Sequence, residues 1–223
     1  QSGKFDEARS FVFTALNSYP ANKQLLGMLI SIELGAGALD EAKKVLEELK
    51  QVHPESQLGM IRGGDIFVAE GQLDDAMHLY ARAWSIEVDD RLGQKLYEVY
   101  QQLDESEKAS QQLAEWRAAI PMSVPAMVNH AIQLAADDSV QAALAAYEAF
   151  LKVRPGSIVI KNNLAWLYLE SGRYNKAVEV SKEAHELMPT GGAVADTYGW
   201  ALYKKGDIAE AISVLRLAVK LLP

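Results

Sequence analysis

The side chains most able to do chemistry are four histidines, His53, His78, His130 and His185, because imidazole binds metals and moves protons near neutral pH. None stands four residues from another, so no pair on one helix face offers two nitrogens to a metal. They read as scattered surface or packing residues. The acid pairs Asp74-Asp75 and Asp89-Asp90 have the composition of a general acid/base pair, but they fall at a helix start and in a connection. Capping and solvated charge account for them there. No Gly-x-Ser-x-Gly elbow occurs, and no spacing nominates a Ser-His-acid set. Gly35-Ala36-Gly37 and Gly191-Gly192 neither follow a strand nor open a phosphate loop, so they read as turn glycines. With no cysteine there is no thiolate ligand, thiol nucleophile or disulfide framework. No catalytic residue, metal ligand or cofactor site is nominated, and the chain is not expected to be an enzyme.

Charge narrows the partners. Thirty acidic residues against 22 basic ones give a net charge of −8, which argues against nucleic acid, whose binders carry a basic stripe to neutralise phosphates. No run of 18 or more apolar residues is long enough to predict a transmembrane helix. The chain opens on Gln1-Ser2-Gly3 without Met, in the middle of a repeat, and is expected to be a piece of a longer protein.

The elements that would position any site follow from a period of 34 residues. Ala165, Trp166, Gly172, Ala177, Ala184 and Pro189 are followed 34 residues later by Gly199, Trp200, Gly206, Ala211, Ala218 and Pro223. A column of small residues runs through Ala8, Ala42, Ala76, Ala109, Ala143, Ala177 and Ala211, with a single step of 33 between Ala76 and Ala109. Two antiparallel helices approach closely only over a small side chain, so this column marks the second helix of each unit. Five residues earlier stand Gly3, Gly37, Gly71, Asp104, Asp138, Gly172 and Gly206, expected at turns needing a left-handed backbone. Asp6, Asp40, Asp74 and Asn175 are expected to cap the second helices. Pro20, Pro54, Pro121, Pro155, Pro189 and Pro223, with Val88 in the remaining place, close the units.

The pattern predicts six and a half helix hairpins and no strand. Residues 1–22 hold the second helix of a truncated repeat, and full units run over 23–56, 57–89, 90–123, 124–157, 158–191 and 192–223. Each helix is expected to span roughly 12 to 14 residues. The whole chain reads as a single array of stacked units, each burying itself against its neighbours.

This unit resembles the tetratricopeptide repeat (TPR). With Ala165 as position eight, Tyr168 is eleven, Ala177 twenty, Ala184 twenty-seven and Pro189 thirty-two; Lys161 and Ser181 depart from the usual large apolar residues. The resemblance implies an all-α fold, a right-handed α-solenoid or superhelix. Gly63-Gly64-Asp65-Ile66-Phe67 resembles the signature loop of diguanylate cyclases, but Gly64 falls on the helix-contact eighth position and reads as packing. More narrowly, Arg91-Leu-Gly-Gln-Lys-Leu-Tyr, Leu113-Ala-Glu-Trp, Tyr147-Glu-Ala-Phe-Leu, Asn162-Asn-Leu-Ala-Trp-Leu-Tyr and Asp196-Thr-Tyr-Gly-Trp-Ala-Leu resemble the TPR lipoproteins of the bacterial PEP-CTERM/exosortase system. That resemblance implies an extracytoplasmic, periplasmic or outer-membrane-associated protein of exopolysaccharide assembly or protein sorting. Without it, a cytoplasmic location stands equally open.

In stacked TPR hairpins the first helices line a concave groove. The resemblance therefore nominates Arg62, Asp65, Arg91, Lys95, Glu98, Asn129, Asn162, Asn163, Trp166, Asp196, Trp200 and Tyr203 as groove residues. Asn amides can hold the backbone of an extended peptide, and Trp and Tyr supply contact area with a polar tip. Trp166 and Trp200 are explained equally by the groove and by packing between hairpins; Trp84 and Trp116 read as core. The carboxylate clamp of chaperone-binding TPRs is broken by Asp65, Glu98 and Ile132. The expected function is a non-catalytic protein–protein interaction scaffold holding a protein or peptide in the groove. The alternative is a structural spacer that self-associates through its terminal helices, since Ile212 to Leu222 is apolar on more than one face. A third reading, part of an enzyme, places the catalytic domain outside this fragment.

Overall fold

The structure, a computed structural model, describes residues 2–136 and 139–222. The turn residue Asp138 and the closing Pro223 lie outside the described residues. Every regular element among those described is a helix: α1 Ser2–Ser18, α2 Lys23–Gly35, α3 Leu39–Val52, α4 Gln57–Ala69, α5 Leu73–Ile86, α6 Asp90–Gln102, α7 Ser106–Ala119, α8 Val124–Ala136, α9 Val140–Val153, α10 Ile158–Glu170, α11 Tyr174–Leu187, α12 Gly192–Lys205 and α13 Ile208–Leu221. The fold is all-α. The chain divides into two compact units, Gln1–Ala119 with α1 to α7 and Ile120–Pro223 with α8 to α13.

Among the described residues, five turns within hairpins are built the same way. Gly37, Gly71, Gly172 and Gly206 have φ of 75°, 74°, 71° and 101°, and Asp104 takes the same left-handed region at 57°. The left-handed residue lets the following amide reach back five residues, as in Ala38 N to Glu33 O (2.8 Å), Gln72 N to Phe67 O (2.8 Å) and Arg173 N to Tyr168 O (2.8 Å). The step of 33 in the alanine column lies in the connection from α5 to α6, where only residues 87–89 separate the helices.

Two expectations about helix starts are corrected. Gly3 and Asp6 lie inside α1 instead of at a turn and a cap. Asp40, Asp74 and Asn175 are the second residues of α3, α5 and α11, two positions past the cap. The residues that do precede those helices, Ala38, Gln72 and Arg173, have ψ of 67°, 69° and 59°, and none makes a side-chain cap. Even Ser139, with suitable chemistry and ψ of 50°, makes none before α9. Caps form before first helices instead, where Asn22, Ser56 and Asp89 are extended, with ψ of 111°, 122° and 161°. An extended backbone permits a cap without ensuring one, since Ser157 before α10 is extended at ψ 97° and makes none.

Small residues let the hairpins close. Ala42, Ala76, Ala143 and Ala177 are fully buried. Where a first helix carries glycine, a bulky partner fills the space: a Cβ on Gly93 would come within 2.6 Å of the Trp116 ring, and one on Gly64 would fall into Tyr80. Trp116 is wholly buried and donates from Nε1 to Asp90 at 2.9 Å, and Trp84 packs half-buried against the Tyr80–Leu96 core. In the second unit the core gathers Leu144, Tyr147, Phe150, Ile160, Leu164 and Tyr168. Lys161 and Ser181 are both buried there, Lys161 paired with Glu183 and Ser181 bonded to the Val178 carbonyl.

Candidate binding surfaces

In the first unit, α2, α4 and α6 line a groove pocket of about 320 Å³, bounded by Met28, Leu58, Ile61, Arg62, Arg91 and Lys95. Its charges are bound to one another. Asp65 accepts from Arg62 Nη1 (2.8 Å), lies 2.8 Å from Lys95 Nζ and accepts from the Tyr80 hydroxyl at 2.7 Å. Burial alone would push the Asp65 carboxyl up; the hydrogen bond and charge of Lys95, with Tyr80 and Arg62, reverse this and hold it below the usual carboxylate range. Tyr80 is driven well above its ordinary value by burial and by the Asp65 charge. Glu98 is exposed and accepts from Gln94, while Arg91 stands exposed at the pocket edge.

The second unit presents a different surface. A pocket of about 300 Å³ is lined by Ala131, Ile132 and Ala135 of α8, Tyr147 of α9, and Asn163, Trp166, Leu167 and Glu170 of α10. Burial pushes the Tyr147 hydroxyl above its ordinary value, and the Asn163 side chain partly offsets this. Asn162 Oδ1 is buried with no hydrogen-bond partner among the described residues. Trp166 is 38% exposed and Trp200 37%, so neither is core; both open to solvent. Trp200 stacks on Tyr203 (centroids 5.2 Å, interplanar angle 29°), and Lys204 Nζ lies 5.1 Å from the Trp200 centroid. Asn129 on α8 and Asp196 on α12 are half-buried.

The pattern of the tetratricopeptide repeat matches residues 129–188 and again 196–223. These segments are tetratricopeptide repeats. A TPR repeat-containing protein of Pseudomonas aeruginosa is 27% identical over 191 residues, 82% of this chain; the chain spans about a third of that relative, 32% of its length. Among solved structures, the Cut9–Hcn1 hetero-tetramer of APC/C is matched over 100% of this chain and 44% of that one at 15% identity, with a TM-score of 0.64. A tetratricopeptide repeat protein from Parabacteroides merdae covers 97% and 93% at 17% identity (TM-score 0.60), and MamA covers 75% and 92% at 20% identity (TM-score 0.55). At these identities the likeness is one of fold.

Arg62, Asp65 and Lys95 come together in one ion cluster, with Arg91 in the adjoining pocket. Asn163 and Trp166 share a pocket, and Trp200 and Tyr203 form a stack. Sequence reasoning missed Tyr80, Tyr147, Ile132 and Glu170. A signal existed for the tyrosines: each stands four residues after its column alanine, Ala76 or Ala143, where other repeats of this chain carry Leu46, Leu113 or Leu215. At the ends, Phe11 on α1 and Ile212, Val219 and Leu222 on or after α13 are exposed.

Proposed function

We propose that this chain is a protein-interaction scaffold whose second unit holds an extended peptide in its groove through Asn162, Asn163, Trp166, Trp200 and Tyr203. Tetratricopeptide repeats mediate protein–protein interaction. The observation that carries the assignment is the pair Trp166 and Trp200, one repeat apart and each more than a third exposed. Large aromatics left open at a repeated position supply binding area. Arg91 and Glu98 form a charged rim in the first unit, whereas Arg62, Asp65 and Lys95 serve chiefly to hold each other. Peptide-array binding should fall at least ten-fold in Trp166→Ala, Trp200→Ala and Asn163→Ala; binding that survives all three would sink the groove assignment.

The resemblance to PEP-CTERM-system lipoproteins extends this proposal to an envelope or exopolysaccharide assembly in bacteria, which subcellular fractionation of the full-length protein tests. A second reading, self-association, is favoured by the exposed Ile212, Val219 and Leu222. Sedimentation over a range of concentrations separates the two, since a strictly monomeric full-length protein removes self-association.

A further inference from the structure

We infer that the pocket of the second unit receives an arginine side chain of the bound peptide, its guanidinium stacked on the Trp166 indole and forked onto the Glu170 carboxylate. The inference rests on the groove reading and names what that groove selects.

It is motivated by two register-equivalent pairs. Trp166 and Trp200 are 34 residues apart, and so are the residues one helical turn beyond them, Glu170 and Lys204. At Trp200 the chain supplies its own cation: Lys204 Nζ sits 5.1 Å from the ring centroid, a cation–π arrangement. At Trp166 the same helical geometry brings a carboxylate to the same pocket as the ring. Among the described residues no cation lies over Trp166 and Glu170 has no ion-pair partner. An indole face is electron-rich, so a carboxylate beside it leaves both groups wanting the same positive charge.

The rest of the pocket selects among cations. Ala131, Ile132, Ala135 and Leu167 form an apolar floor that suits methylene stems. Arginine fits the upper part better than lysine, because its planar guanidinium can stack on a ring while forking to a carboxylate in the same plane. An aliphatic or aromatic occupant would bury the floor but leave Glu170 without a partner. An acidic one would be repelled.

The test uses N-acetylarginine amide and its neutral isostere N-acetylcitrulline amide, titrated into isotopically labelled protein while the indole N–H resonance of Trp166 is followed by NMR. A Trp166→Phe variant assigns that resonance. The arginine probe should shift it, with citrulline requiring at least ten-fold higher concentration for the same change. Glu170→Lys copies the Trp200–Lys204 pair and should abolish the response; Glu170 is exposed, so an unchanged circular dichroism spectrum shows that the fold persists. Equal shifts from the two probes, or a response that survives Glu170→Lys, would overturn the arginine assignment. Peptide arrays distinguish the two levels of failure. Peptides captured without arginine preference, and lost in Trp166→Ala, overturn the arginine pocket while the groove stands; no capture of any peptide sinks the groove itself.

Discussion

The two units use one backbone plan for opposite surfaces, and the ninth residue of each first helix shows how. In the first unit that position holds Ser31, Asp65 and Glu98; in the second it holds Ile132, Trp166 and Trp200. All of the net charge lies in the first unit, which has 20 acidic and 12 basic residues, whereas the second has 10 of each. Where the position is charged, neighbours close on it: Arg62, Lys95 and Tyr80 all engage Asp65. Where it is aromatic, the ring stays open to solvent, as Trp166 and Trp200 do. A half-buried carboxylate is stable only with its partners in place, so the charged groove is consumed in holding itself together. The exposed aromatic surface bears no such penalty and remains open to solvent.

Removing the centre of the charged cluster should have the largest effect. Asp65→Ala leaves two cations and a buried tyrosine hydroxyl without their acceptor, and denaturant unfolding should show a loss of about 3 kcal/mol. Next come the small-residue contacts. Gly93→Ala drives a methyl group against the rigid, buried Trp116 and should cost about 1–3 kcal/mol. Gly199→Ala meets the more adaptable Leu215 side chain at 2.7 Å and should cost less, by thermal melting of the two variants side by side. Acid should separate the units as well. The Asp65 carboxyl lies below its ordinary value in the folded state, so its contribution is complete above the unfolded carboxylate range and is lost as pH falls through the folded value. Urea titrations below about pH 4 should therefore show a steeper loss in the wild type than in Asp65→Asn. The smallest effect on stability is expected for Trp166→Ala, within about 1 kcal/mol, because the ring is substantially exposed. The same change should remove peptide binding; a large loss of stability instead would make Trp166 a packing residue and dissolve the contrast.

Much of the fold was legible in the residues. The alanine column, the turn glycines and the single 33-residue step all reflect short-range requirements: a close helix crossing needs a small side chain, and a left-handed turn favours glycine. Trp116, followed through its register, was recognisable as core. Capping was misread because Asp40, Asp74 and Asn175 have the chemistry of caps but stand two positions past the cap.

The sequence by itself determined that each repeat is a helix pair and which residues stand on the first helix. It could not decide whether Trp166 and Trp200 would be covered, since that depends on side chains brought from other helices. Nor could it show that Tyr80 and Lys95, 15 and 30 residues beyond Asp65, would close on its carboxylate, or that Lys204 would cover one indole while Glu170 joined the other in its pocket. Periodicity assigns a residue to a face of its own helix; burial and pairing on that face depend on the residues that neighbouring helices contribute, and only the tertiary structure sets these.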